Sequence, residues 1–120
     1  MPSKRVSNKK TNKLNKKIKL NKNIINISNN QVKVNSDTNI HGLQFEFNNG
    51  IEIINRNKNY MIESSSNGKI VVVLDSTLNS PLNNHVLFEY VINNNRKKPK
   101  LSNYLISDNQ SNKIQNFIVK

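Results

Sequence analysis

Leu43, Phe45 and Phe47 alternate with Gln44 and Glu46 along one short stretch of this chain. Successive side chains of a strand point to opposite faces, so an apolar residue at every second position predicts a strand with one buried face. Asn48-Asn49-Gly50 follows, and then Ile51-Glu52-Ile53-Ile54. A type I′ turn needs φ > 0 at both central positions, which Asn and Gly tolerate best, so the pattern predicts a β-hairpin. The polar run Asn55 to Asn59 predicts a turn, Tyr60-Met61-Ile62-Glu63 a strand, and Ser64 to Gly68 a second turn that again ends in Asn-Gly. Ile70-Val71-Val72-Val73-Leu74 has no polar alternation, which predicts a central strand covered on both faces. Beyond a loop containing Pro81, Val86, Phe88, Tyr90 and Ile92 share one face of a predicted strand. Tyr104-Leu105-Ile106 and Phe117-Ile118-Val119 are two shorter candidates.

Strand signals about every ten residues, separated by turn clusters, predict a mainly β fold: a small antiparallel β-sandwich or a partly open barrel. No segment after Ile40 carries a period of 3.6, so no helix longer than about two turns is expected. The four Phe and three Tyr all lie beyond Ile40 and must anchor the core without Trp or Ala. A β domain this small is marginally stable alone, which favours self-association or docking on a protein partner.

Residues 1–36 have a different character. Lys, Asn and Ser dominate, and the scattered aliphatics offer too little apolar surface to offset the entropy of ordering the chain. The pattern therefore divides the chain into a disordered basic N-terminal arm, residues 1–36, and a small β domain, residues 37–120. Ile24 to Ile27 and Val32 to Val34 are the part of the arm most able to form a marginal first strand at a sheet edge.

Charge sharpens that division. The formal net charge is +12. Ten of the 19 Lys and Arg residues lie in 1–36, where there is no acid at all, whereas the remainder carries nine basic against seven acidic residues. The chain also has 26 Asn and no Ala. Lys, Asn and Ile are residues of AT-rich codons, so part of the Lys excess follows from an AT-rich genome. The lack of Asp and Glu over the arm does not, because AT-rich codons supply those as readily as Lys.

Charge localised in this way points to a polyanionic partner. The predicted contacts are Lys4, Arg5, Lys9, Lys10, Lys13, Lys16, Lys17, Lys19 and Lys22 in the arm, with Arg96, Lys97, Lys98 and Lys100 as a second cluster. The second cluster reads equally as a solvated loop in which Pro99 blocks further pairing. Phe45, Phe47, Phe88 and Tyr90 share their faces with aliphatic residues, the pattern of a core and not of a base-stacking platform.

Catalytic signatures are weak. His41 and His85 each stand alone, without a metal-ligand spacing. A Ser, a His and one of Asp37, Asp75 or Asp108 form only a nominal triad. The three Gly, at 42, 50 and 68, are too dispersed for a phosphate-cradling loop. The absence of Cys excludes disulfides and thiolate metal sites. No catalytic residue, metal or cofactor is expected, and no apolar run approaches the roughly 20 residues that span a bilayer.

Two functional readings follow. The first is a non-catalytic structural or assembly protein, intracellular or within a virion, such as a packaging component of a large AT-rich DNA virus, whose arm contacts nucleic acid or another polyanion. The second is an organellar (for example mitochondrial) or ribonucleoprotein component in which the Lys/Asn-rich segment is a presequence.

Overall fold

The computed structural model of the protein describes residues 22–92 and 98–120. The expectation of a disordered N-terminus falls mainly on residues 1–21, outside the described residues.

Nine strands occur among the described residues: β1 (Ile24–Ser28), β2 (Gln31–Asn35), β3 (Gly42–Phe47), β4 (Glu52–Arg56), β5 (Met61–Ser64), β6 (Ile70–Leu74), β7 (Phe88–Val91), β8 (Leu101–Ser107) and β9 (Ile118–Val119). No helix is present among them. The strands form a five-stranded sheet of order β9-β1-β2-β7-β4 and a four-stranded sheet of order β5-β6-β3-β8. All neighbours pair antiparallel except β9 and β1, which are parallel. The mainly β, sandwich-like class read from the pattern is the architecture observed.

One apolar cluster lies between the sheets. Ile25, Val32, Val34, Phe88 and Tyr90 enter it from the five-stranded sheet, and Leu43, Phe45, Phe47, Ile62, Val71, Val73 and Ile106 from the other. Ile40, Ile51, Leu82 and Leu87 come from the connections. Burying a side chain of this size contributes about 1.5–3 kcal/mol, so the connections are part of what holds the sandwich together.

Three sequence expectations need correction. The first is the hairpin between residues 43–47 and 51–54, since β3 and β4 lie in different sheets. Both edges of β3 are already taken, by β6 and β8, and its end is held by distant partners. Phe47 N donates to Lys69 O at 2.8 Å, and Asn48 N donates to Lys100 O at 2.9 Å. Gly68, with φ +71°, is the glycine with a left-handed backbone, and Gly50 is not. The second Asn-Gly turn does close a hairpin, pairing β5 with β6.

The second concerns residues 24–35, placed in the arm with a marginal first strand expected at a sheet edge, where the structure has two strands inside the sheet. They form β1 and β2, which pair over five residues and put Ile25, Val32 and Val34 in the core. Asn29 (φ 53°) and Asn30 (φ 61°) close this hairpin with left-handed backbone at both central positions, as a type I′ turn requires. Third, the run Ile70 to Leu74 is covered on one face only. Val71 and Val73 are fully buried, whereas Ile70 and Leu74 are 36% and 41% exposed on the outer face.

Candidate polyanion-binding surface

Lys22, Lys98 and Lys100 are the predicted cationic contacts that fall within the described residues. Lys4, Arg5, Lys9, Lys10, Lys13, Lys16, Lys17, Lys19, Arg96 and Lys97 lie outside them.

Lys22 stands where the N-terminal segment meets the body. Its Nζ is 3.9 Å from Asp37 Oδ1, with both side chains more than half exposed. Such a pair contributes little and weakens further with salt. The next residue fixes this point more firmly. Asn23 Nδ2 donates to Gln115 O at 2.7 Å, Ser36 Oγ donates to Asn23 Oδ1 at 2.6 Å, and Ile118 N donates to Asn23 O at 2.8 Å. The base of the arm is thereby tied to the C-terminal segment and to the end of β2.

Lys98 and Lys100 are exposed and lie at the other end of the sandwich. Lys100 N donates to Asn48 Oδ1 at 2.8 Å, beside the end of β3. That end connects to Glu52, which pairs with Val91, and Tyr90 N donates to Asn30 O in the β1–β2 turn. Ile24 instead pairs with Asn35 at the far end of the same hairpin. The body therefore does not bring Lys22 together with Lys98 and Lys100.

Sequence reasoning did not find the most developed polar cluster. His41 Nδ1 lies 2.8 Å from Asp75 Oδ2, and both side chains are buried. Asp75 also accepts from Thr77 Oγ1 at 2.8 Å, Thr77 N at 3.2 Å and Ser80 N at 2.8 Å. Burial pushes the Asp75 carboxyl up, but the hydrogen bonds from Thr77, Ser80 and His41 outweigh it and hold the group below its ordinary range. In the loop so fixed, Leu78 adopts φ 61°, a conformation that a bulky residue keeps only where its surroundings impose it. The Asp75 carboxylate is engaged on all sides in shaping the 75–80 loop, and no Ser or Thr hydroxyl is hydrogen-bonded to the His41 ring among the described residues. The separation of 34 positions in sequence hides the pair from any local motif.

Phe45, Phe47, Phe88 and Tyr90 are buried, so their rings have no face to offer a base. Tyr60 is buried as well and donates through its hydroxyl to Pro81 O at 2.8 Å. Desolvation, and then the nearby Asp75 charge, push the Tyr60 phenol upward, so it remains a donor. A cleft of about 390 Å³ runs between β8 and residues 113–116. Its wall of amides, apolar groups and Lys113 does not bring an acid and a base together. Among the described residues no group of three or more His, Cys, Asp or Glu is placed to hold a metal ion, and no helix is long and apolar enough to cross a membrane.

No protein-family model, curated protein or solved structure matches this chain.

Proposed function

We propose that the protein is a non-catalytic structural or assembly protein whose Lys-rich N-terminal segment binds nucleic acid or a similar polyanion, as in a virion or packaging component of a large AT-rich DNA virus. The observation that carries this reading is the segregation of charge. Ten basic residues and no acid occupy positions 1–36, against nine basic and seven acidic residues in the remainder. A compact β body whose aromatics are spent on its core suits a scaffold, with binding delegated to ammonium groups. Those groups act as point charges and contact phosphates without reading base edges.

The test is a titration of the full-length protein against unrelated duplexes at several salt concentrations. Neutralising roughly six phosphates gives a slope near −5 in log K against log[salt]. Changing Lys4, Arg5, Lys9, Lys10, Lys13, Lys16, Lys17 and Lys19 together to Gln should remove most of that slope. An unchanged slope would show that the segment is not the binding element. Loss of residues 1–21 from the mature protein, read by N-terminal sequencing from its native source, would replace this reading with a presequence.

A further inference from the structure

The charge of the N-terminal segment continues onto the body. Strand alternation turns Ile24, Asn26 and Ser28 to the outer face of the five-stranded sheet, since Ile25 between them is buried, and exposed Lys22 lies two residues before the strand. Lys33 pairs with Asn26 from β2 and is exposed. On the other side, Lys120 N donates to Ile25 O at 2.8 Å and Ile27 N donates to Lys120 O at 2.9 Å, which places Lys120 opposite Asn26. Lys33, Asn26 and Lys120 thus form a row across β2, β1 and β9. Ser28 Oγ donates to Asn26 Oδ1 at 2.7 Å, so the oxygen of the Asn26 amide is engaged within its own strand.

Two acidic side chains near this row are engaged with other partners. Glu89, at the far side of β2, accepts from Gln31 Nε2 at 2.8 Å and Asn55 Nδ2 at 2.6 Å. Asp37 faces Lys22. Among the described residues neither Lys33 nor Lys120 has a side-chain ion-pair partner, and the Lys120 backbone oxygen accepts from Ile27 N in the ladder. Two shallow clefts flank Lys33, one of about 190 Å³ bordered by Asn26, Asn35 and Asn84, the other of about 140 Å³ bordered by Asn26, Asn29 and Gln31.

We propose that this face is a second nucleic-acid contact, in which Lys33 and Lys120 bind the sugar-phosphate backbone on either side of Asn26. The assignment rests on the reading of the N-terminal segment as a polyanion binder, because that segment leads directly into β1, the middle strand of the row. Two strand spacings separate Lys33 from Lys120, roughly 10 Å. One strand of a duplex advances ~3.4 Å of axis per phosphate while winding around it, so a row of this length reaches about two phosphates of that strand.

The experiment compares salt slopes on duplex DNA for the full-length protein, the double variant Lys33→Gln/Lys120→Gln, its Lys→Arg counterpart, and a control, Lys69→Gln/Lys113→Gln, which removes the same charge elsewhere. The expected result is a slope shallower by about 2 for the first pair, retained slope with Arg, and little change for the control. Equal losses for both Gln pairs would overturn the proposal, since net charge alone would then matter. An unchanged slope in Lys33→Gln/Lys120→Gln, with the slope lost when the eight N-terminal cations become Gln, would sink this face and leave the first reading standing. The reverse pattern would sink the first reading and keep this face. Loss of binding to poly-glutamate alone, with DNA binding intact, would overturn the assignment to nucleic acid.

Discussion

Asn67-Gly68 and Asn49-Gly50 are the same dipeptide, and each follows a strand of the four-stranded sheet. One closes a hairpin and the other carries the chain to the opposite layer. At the first, the bonds that close the turn are local: Ser65 N donates to Ile70 O at 2.8 Å, Gly68 N donates to Ser65 O at 2.9 Å, and Asn67 Oδ1 accepts from Lys69 N at 3.0 Å. At the second, the backbone partners are Lys69, Lys100 and Gly68, all remote in sequence. The dipeptide permits a left-handed turn. Whether one forms depends on where the flanking strands find their hydrogen bonds. The two sites also touch, because Ile51 N donates to Gly68 O at 3.1 Å, so the closed hairpin seats the crossing connection.

The largest expected effect tests that seat. Gly68→Val places a β-branched residue at φ +71°, with its Cβ only 2.0 Å from Ile51 O. Backbone strain and overlap together should cost about 3–5 kcal/mol in chemical denaturation. A loss under about 1 kcal/mol would show that hairpin and connection are not coupled.

A second crossing connection, from β6 to β7, is held by a buried carboxylate instead of a glycine. Asp75→Asn should cost about 3 kcal/mol at neutral pH, since several hydrogen bonds to a charged acceptor are weakened at once. The pH dependence has a definite sign. The Asp75 carboxyl titrates below its ordinary range when folded, so the unfolded state takes up its proton first as pH falls. Its contribution is full above an unfolded pKa of about 3.9 and is lost as pH drops through the folded value. Hydrogen bonds hold Glu89 and Asp108 low as well, from Gln31 and Asn55 in one case and the Asn112 and Gln110 amides in the other. The acid slope of Asp75→Asn should therefore be reduced and not abolished; melting curves at pH 7 and pH 3 that shift in parallel for variant and parent would refute this.

The smallest effect separates the two dipeptides directly. Asn67→Ala loses an acceptor for Ser65 Oγ and Lys69 N and should cost about 1 kcal/mol. Asn49→Ala takes part in none of these bonds and should fall within about 0.5 kcal/mol of the parent. Equal costs would mean that residues 48–51 form a turn of the same kind.

Much of the fold was legible because alternation reports burial directly. Leu43, Phe45 and Phe47, and Phe88 with Tyr90, are buried as their spacing requires. Pairing was not legible, because partners are chosen across the sandwich. The chain changes sheet after β2, β3, β4, β6, β7 and β8, so nearest neighbours in sequence are seldom neighbours in space. The Ile70 to Leu74 run misled for a related reason: the outer face of its sheet keeps Ile70, Leu74 and Leu105 in contact with solvent, which no run of apolar letters reveals. The β1–β2 hairpin did leave a signal. Asn29-Asn30 stands between two aliphatic stretches, and among the described residues four of the six non-glycine residues with positive φ are Asn. In a chain with three Gly, Asn takes the left-handed positions. For the candidate surface, the basic segment was plain in the composition, whereas the alignment of Lys33 with Lys120 depends on a parallel pairing between the two ends of the chain.

That parallel pairing has a mechanical consequence. The N-terminal segment leaves the body from the start of β1, which lies between β2 and β9. A pull on the segment along the strand axis loads the ladders on both sides of β1 in shear. Ladder hydrogen bonds run across the strands, so they share such a load instead of opening one after another. A load applied along this direction is therefore shared by both ladders, while the same hairpin pulled sideways from its Asn29-Asn30 end would unzip.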